Sequence, residues 1–382
     1  MRVDLVIMAL GNASNPIVKD SEPGLKTSKW GTIEIRAGSQ ETSINDVYTG
    51  GDANRGGSTA IRAAGDGQAA AREIAGEVQL SSDEVRALVA SAERYTEQGR
   101  SAKTILRRSD LADGIVEFEI YAPLIARSAR AGQFVRVLGW DKGEFIPLTL
   151  ADWDANKGTI DLVVQTLGSS SGYINRMQQG ESIAGIAGPL GLPSELHRYE
   201  NGETVVFTAG GVGLPPVYPI MREHLRMGNH VTLISGFRTK DLMFWAEADQ
   251  RIGLLQAEYP ELLDVIYTTN DGSFGINGFV TGPLEEMLES MKAGTGRALG
   301  EVVTIGPPLM MRAVSDLTKP YGVKTVASLN SIMVDATGMC GACMVPVTIE
   351  GKMVRKHACI DGPELDSHII DWDKFLPRFL QF

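Results

Sequence analysis

Three cysteines, all between residues 340 and 359, carry the most distinctive chemistry in this sequence. Cys340-Gly341-Ala342-Cys343 places two thiols on one tight loop, and Cys359 follows His357-Ala358. An odd cysteine count confined to one short stretch is the wrong pattern for a secreted disulfide framework and the right one for a metal site. The loop glycines let backbone N–H groups turn toward the sulfurs, and such hydrogen bonds tune iron–sulfur centres. Three soft ligands need a fourth. His357 would close a structural zinc site of the Cys₃His type, whereas Asp335 would suit an iron–sulfur cluster with one oxygen ligand. Structural thiols without a metal are the third reading.

Glycine loops supply the second kind of chemistry. Thr208-Ala209-Gly210-Gly211-Val212-Gly213-Leu214 follows a strand and opens a helix. There Gly210, Gly211 and Gly213 let a pyrophosphate approach N–H groups at a positive helix end. The spacing is not G-x-G-x-x-G, so it is no Rossmann fingerprint, and bare packing is the alternative. Gly306-Pro307-Pro308, after the last strand of the same sheet, marks a rigid turn at the edge where open α/β folds bind ligands. Ile146-Pro147-Leu148-Thr149 ends a strand, and Gly168-Ser169-Ser170-Ser171-Gly172 begins a helix. Its hydroxyls and amides suit a diphosphate, or form an ordinary N-cap. Arg238, after Gly236-Phe237, is placed for an adenosine ribose or 2′-phosphate, or is a surface arginine.

The elements that position these residues change texture along the chain. Residues 1–98 open with a strand (Met1 to Leu10), pass a polar loop to Gly50-Gly51-Asp52, and continue in a small-residue helix from Ser58 to about Val78. A second helix starts at the capping box Ser81-Ser82-Asp83-Glu84, and a polar run near Gly99 reads as a linker. Residues 99–200 hold short strands such as Ile115–Ile120, Gln133–Val137 and Thr159–Val164, separated by Gly and Asp turns, as in a small antiparallel barrel. Residues 201–325 alternate strand and helix, the pattern of a doubly wound parallel sheet. Residues 326–382 hold the cysteines and a short amphipathic C-terminal helix. The scattered tryptophans read as packing, and His197, His224 and His230 as solvated side chains.

With 382 residues, 43% of them apolar and 22% charged, the chain is expected to form two or three globular domains. A net charge of −11 argues against nucleic-acid binding through the overall field. No run of about twenty apolar residues is present to span a bilayer. The opening apolar run contains an acid and lacks a clear cleavage site, which points to a cytoplasmic protein.

Residues from about 103 onward resemble the electron-transfer family of the NADH-dependent reduced ferredoxin:NADP⁺ oxidoreductase α subunit, the sulfide dehydrogenase β subunit and the dihydroorotate dehydrogenase electron-transfer subunit. The stretches that carry this are Ile146–Thr149, Gly188-Pro189-Leu190-Gly191, Gly210–Gly213, Asp271-Gly272-Ser273, Ser328-Leu329-Asn330, Gly338-Met339-Cys340-Gly341 and Cys359-Ile360-Asp361-Gly362-Pro363-Glu364. The resemblance implies a fold of the α/β plus all-β class, with a ferredoxin-reductase-like FAD-binding antiparallel barrel, a doubly wound NAD-binding domain and a C-terminal [2Fe–2S] segment. It makes Pro147, Leu148 and Thr149 the flavin strand. It also makes Asp335, five residues before the first cysteine, the fourth ligand beside Cys340, Cys343 and Cys359. Two departures stand out: the wider reductase family has an arginine where Pro147 stands, and Ala336 replaces a glycine common in this loop.

Residues 3–78 resemble the C-terminal end of the glutamate synthase small subunit and the β subunit of the same transhydrogenase, through Thr49-Gly50-Gly51-Asp52-Ala53 and Gly56–Gly67. By that resemblance Gly51 and Asp52 meet a flavin's ribityl and pyrophosphate, and Ser58 and Thr59 start a helix aimed at it. No G-x-G-x-x-G unit precedes this fragment. A partner flavoprotein subunit is therefore expected to complete the site; a fusion vestige is the alternative.

The expectation is an NAD(P)H-dependent oxidoreductase subunit in which cofactors rather than side chains perform the chemistry. It would pass electrons among NAD(H) or NADP(H), FAD and a [2Fe–2S] cluster to a partner flavoprotein or ferredoxin, and the complex would bifurcate electrons. The alternatives are a subunit of a sulfide or dihydroorotate dehydrogenase-type complex, or a zinc-stabilised scaffold.

Overall fold

The computed structural model describes residues 24–29, 31–45, 47–55, 66–67, 69–70, 73 and 102–378. The expected opening strand, the helix from Ser81, the linker near Gly99, and both Ser58 and Thr59 lie outside these residues. Contacts divide the chain into two units, Met1–Arg94 and Tyr95–Phe382.

In the first unit, isolated antiparallel bridges join Thr27 to Ile33, Ile35 to Thr42 and Glu41 to Tyr48. Gly51 has φ +77°, and the helical turn α1 (Asp52–Arg55) follows it. A Cβ on Gly50 would lie 2.8 Å from the Asp66 carbonyl and the Gly67 nitrogen, so only glycine lets these backbones approach. Glu73 accepts hydrogen bonds from the Gln40 N–H at 2.8 Å and the Ser39 hydroxyl at 2.7 Å.

The second unit begins with a six-stranded antiparallel sheet in the order β1-β2-β5-β4-β3-β6. Its strands are β1 (Ile105–Ala112), β2 (Ile115–Tyr121), β3 (Phe134–Leu138), β4 (Ile146–Asp154), β5 (Thr159–Gln165) and β6 (Gly185–Leu190). Backbone bonds between residues 103–105 and 181–183 close it into a barrel. Inward positions alternate along each strand and bury Phe118, Ile120, Val135, Val137, Ile160 and Leu162. Helices α2 (Pro123–Ser128) and α3 (Ser169–Arg176) flank it.

One expectation is corrected here. Ile146-Pro147-Leu148-Thr149 opens β4 instead of ending a strand. The Gly143 N–H bonds the Trp140 carbonyl at 2.8 Å and reverses the chain, so Pro147 lies opposite Arg136 on β3.

The next layer is a seven-stranded sheet in the order β10-β9-β8-β7-β11-β12-β15. It contains β7 (Thr204–Gly210), β8 (His230–Phe237), β9 (Leu263–Thr269), β10 (Ile276–Asn277), β11 (Leu299–Ile305), β12 (Thr325–Ser328) and β15 (Glu364–Asp366). The central strands are nearly continuous apolar runs, as expected where both faces are covered. One face packs on α4 (Leu214–Arg226) and α5 (Arg251–Glu258), the other on α6 (Thr281–Lys292) and α7 (Pro308–Thr318). β11 is not the last strand of this sheet. Parallel β12 and antiparallel β15 follow, both too short to carry a strong apolar pattern, and β12 spans the expected 325/326 boundary.

The cysteine segment folds around the hairpin β13 (Met344–Ile349) and β14 (Lys352–His357), with short helices α8 (Ala358–Asp361) and α9 (Trp372–Phe375). Its core joins Phe134 of the barrel to Met311, Leu329, Val345, Trp372 and Phe375. Among the described residues no helix is long and apolar enough to cross a membrane.

Barrel and sheet meet at a cluster of charges. Asp152 at the end of β4 accepts from Arg222 of α4 at 2.8 and 3.0 Å and from Arg251 of α5 at 2.9 Å. Arg251 also binds Glu117 of β2 and Asp161 of β5, while Arg107 of β1 stands 3.7 Å from Glu117. Burial, against the pull of Arg251 and with help from Glu117 and Asp152, pushes Asp161 up to about 6. A carboxyl raised in the folded state contributes its full stability below the ordinary carboxylate range and loses it as pH climbs through about 6. Asp161→Asn should therefore gain on the order of 2 kcal/mol over the native chain between about pH 4 and pH 7. Denaturant melts across that range check it, and parallel curves for both proteins would refute it.

Candidate functional site

The β13–β14 hairpin sets the cysteine geometry. Met344 pairs with His357, and the Ala358 N–H donates to the Cys343 carbonyl at 3.0 Å. Cys343 and Cys359 thus face each other at the open end of the ribbon, their sulfurs 3.1 Å apart and both buried. Ahead of the hairpin, the loop from Met333 turns through left-handed residues at Ala336 (φ +58°), Gly338 (φ +83°) and Gly341 (φ +67°). This winding brings Asp335 back to exposed Cys340. The Thr337 N–H donates to the Asp335 carboxylate at 2.8 Å. That bond, outweighing burial, together with the Cys340 thiol and N–H, holds Asp335 below the usual carboxylate range.

Among the described residues, no three His, Cys, Asp or Glu side chains converge as a single metal ion requires. Cys343 instead sits beside Cys359, and Asp335 beside Cys340. Two such pairs would suit a centre of two irons. The spacing Asp335-x₄-Cys340-x₂-Cys343…Cys359 is the plant-type ferredoxin spacing with aspartate in the first position, in line with the place expected for Asp335. His357 is held elsewhere: its N–H donates to Asp361 at 2.6 Å, and its ring stands 4.0 Å from the same carboxylate. Burial and then the neighbouring Cys343 thiol push Cys359 up to about 12, so an iron bound there would have to displace a proton.

Arg136 ties the cysteine loop to the β3–β4 strand pair, beside the packing of Phe134 in the same core. Arg136 of β3 donates to the Asp335 carbonyl, its guanidinium lies 4.3 Å from the Phe145 ring centre, and its backbone partner on β4 is Pro147. Pro147, Leu148 and Thr149 are half-buried, unlike Leu150 and Ala151 after them. They present a partly open strip beside the cluster loop.

At α3, Gly168 fronts open space, and a Cβ there would meet nothing within 4 Å. The Ser171 hydroxyl accepts from the Leu167 and Gly168 N–H groups at 3.0 and 3.1 Å, which commits it to capping. Ser170 is buried. A diphosphate at this end would meet N–H groups of the first turn.

The glycines of the β7–α4 loop divide their work. A Cβ on Gly213 would strike the Ile305 carbonyl, and one on Gly306 would come within 3.0 Å of the Gly210 nitrogen. These three bring the ends of β7 and β11 together, as helix–strand packing demands. Gly211 (φ +53°) faces open space, and a Cβ on Gly210 would meet Pro307 at 2.8 Å. The hydroxyls of Thr208, Ser235, Thr268 and Thr304, near the carboxyl ends of four neighbouring strands, are buried without partners, so this edge is polar. Gly236 makes room for Val280, while Arg238 is exposed on the loop that follows. The Asp271 carboxylate accepts from the Ser273 hydroxyl at 2.6 Å and N–H at 3.0 Å, which lowers its pKa. The Ser273 hydroxyl in turn accepts from the Lys240 N–H at 2.8 Å, tying the two loops together.

His224 requires correction. It is buried, packs edge-on against Phe207, and lies 2.9 Å from the Asn229 amide through Nδ1. Burial pushes it down to about 4, so it is neutral at physiological pH. Its spacing from Val217, Ile220 and Met221 is helical, and that signal places it on the apolar face.

Comparisons with known proteins fit this geometry. Residues 330–371 match the profile described as the iron–sulfur cluster binding domain of dihydroorotate dehydrogenase B, and residues 207–316 match the oxidoreductase NAD-binding domain. A dihydroorotate dehydrogenase B (NAD⁺) electron transfer subunit homolog from Thermotoga maritima is 36% identical over 284 residues, covering 74% of this chain and 93% of its own. An uncharacterised protein from the adh 3′ region of Clostridium beijerinckii is 39% identical over 72% of this chain and 88% of its own. A solved structure of the NADH-dependent reduced ferredoxin–NADP oxidoreductase, presented for its flavin-based electron bifurcation, has TM-score 0.65 and 34% identity. It covers 74% of this chain and 95% of that one.

Fold and site together define an NAD(P)H oxidoreductase subunit of the ferredoxin-reductase type, working in electron transfer with FAD, NAD(H) and a [2Fe–2S] cluster. The chain belongs to the dihydroorotate dehydrogenase B electron-transfer subunit family. The iron–sulfur profile over residues 330–371 also settles the metal against zinc.

Ala336 offers a local test. A non-glycine residue at φ +58° costs about 1 kcal/mol. Ala336→Gly should slow iron loss during thermal challenge, measured by the decay of visible absorbance. Faster loss would show that the packing of its methyl group outweighs the strain.

Proposed function

We propose that this chain passes electrons from NAD(H) to a [2Fe–2S] cluster through a barrel-bound FAD, and onward to a partner flavoprotein and ferredoxin in an electron-bifurcating complex. When bound, the flavin exchanges two electrons with nicotinamide as hydride and single electrons with iron. The residues that hold the groups are this chain's contribution. Pro147, Leu148 and Thr149 line the isoalloxazine, and the first turn at Gly168, Ser170 and Ser171 receives the diphosphate. Gly210, Gly211, Gly213, Gly306 and Pro307 shape the dinucleotide edge, with Gly236, Arg238 and Asp271 toward adenosine. Asp335 and Cys340 hold one iron, Cys343 and Cys359 the other.

The observation that carries this reading is Arg136. One residue is paired with Pro147 on the flavin strand and bonded to the backbone of Asp335 on the cluster loop. The bifurcating assembly draws support from the likeness to the ferredoxin–NADP oxidoreductase structure. The relatives named for dihydroorotate dehydrogenase B favour a second reading, delivery of electrons to or from a dihydroorotate-type partner. The turn at Gly51 and Asp52 beside a helical segment supports a flavin shared with a partner subunit. A cytoplasmic location accords with the cysteine pattern.

Asp335→Ala should lose most of its iron and the paramagnetic signal of the reduced protein. Asp335→Cys, which restores four thiolates, should keep the cluster with a changed spectrum. Unchanged iron content and spectrum in Asp335→Ala would overturn the ligand assignment. Co-expression with the neighbouring redox genes tests the partner: the full chain should capture a flavoprotein, and recovery alone with no flavoprotein bound would count against the shared site.

A further inference from the structure

The charge cluster between barrel and sheet is more elaborate than cohesion requires. A buried ion network can often be replaced by apolar side chains with no loss of stability, so its presence calls for another reason. What it provides is direction. A guanidinium fork fixes angle as well as distance, whereas apolar surfaces slide.

Its placement is specific. Asp152 lies three residues beyond Thr149 on β4, about 10 Å along the flavin strand. Arg222 lies on α4, the helix that opens at the Gly210–Gly213 loop. Both oxygens of Asp152 are gripped by Arg222, at 2.8 and 3.0 Å, and one also by Arg251 at 2.9 Å. Arg251, the first residue of α5, reaches β2 through Glu117 and β5 through Asp161 as well. Its guanidinium lies 4.9 Å from the Trp245 ring centre and 5.5 Å from that of Tyr218. One side chain from the nucleotide layer therefore holds three barrel strands, with aromatic rings limiting its movement.

We propose that Arg251, acting with Arg222 through Asp152, is a positioning residue that fixes the nucleotide layer against the flavin strand and so sets the approach of nicotinamide to flavin. This rests on the flavin and dinucleotide assignments above. Hydride transfer tolerates little misplacement, and a shift of about 1 Å can cost up to a hundredfold in rate. Arg251 touches neither cofactor in this account; it acts through the strands it holds.

The test uses the full-length, flavin-loaded protein carrying Arg251→Lys or Arg251→Met. Lysine keeps the charge without the fork, so it guards against failure to fold. Mixed anaerobically with NADH, both variants should bleach the flavin at least about tenfold more slowly than the native chain. The long-wavelength absorbance from nicotinamide stacked on flavin should shrink. Flavin content and affinity for ADP-ribose, which lacks the nicotinamide ring, should stay unchanged. Native rates with an intact stacking band in either variant would overturn the proposal, as would slowing only in proportion to lost flavin. A native chain that holds flavin yet is not bleached by NADH would instead refute the underlying functional reading, and the positioning role with it.

Discussion

The loop that carries the cysteines must bring its side chains together in pairs while staying against strands β3 and β4, and much of the second unit's local structure answers that constraint. The hairpin β13–β14 meets the first half by register alone, since pairing Met344 with His357 brings Cys343 and Cys359 together. The second half is met by left-handed turns that return Asp335 to Cys340. Arg136 then joins the loop to the strand beside Pro147. Electron transfer needs proximity, and here the loop is held by hairpin register and by a guanidinium bonded to its backbone.

The same economy organises the nucleotide side. Gly213 and the Gly210–Gly306 contact let β7, β11 and α4 approach more closely than side chains allow, leaving Gly211 beside open space. A glycine loop thus has two tasks, packing and access. Sequence alone cannot assign them, because both require the same missing Cβ.

Much of this was legible in advance. The barrel strands with alternating apolar residues, the continuous strands β7 and β8, and the cysteine spacing all declared themselves through local pattern. What escaped reading depended on distant partners. Ile146–Thr149 looked like a strand end because the turn at Gly143 was given no weight. β12 and β15 are too short for periodicity to register, and β15 finds its place only through pairing with Ser328 and its neighbours. His224 looked solvated amid charged neighbours, although its helical phase with Val217 and Met221 buries it. The charge cluster was invisible, for Asp152 and Arg251 are nearly a hundred positions apart.

The edge strand β15 has one more implication. After visiting the cysteine hairpin, the polypeptide returns to stitch itself onto the dinucleotide sheet, beside β12. The cysteine segment is therefore not a pendant that hangs from a linker, free to swing between donor and acceptor as tethered carriers do. Any rocking of the dinucleotide sheet must carry the metal centre along with it. Grafting this segment onto a foreign reductase would leave an unmated seam at the sheet's margin unless the recipient offered a matching border.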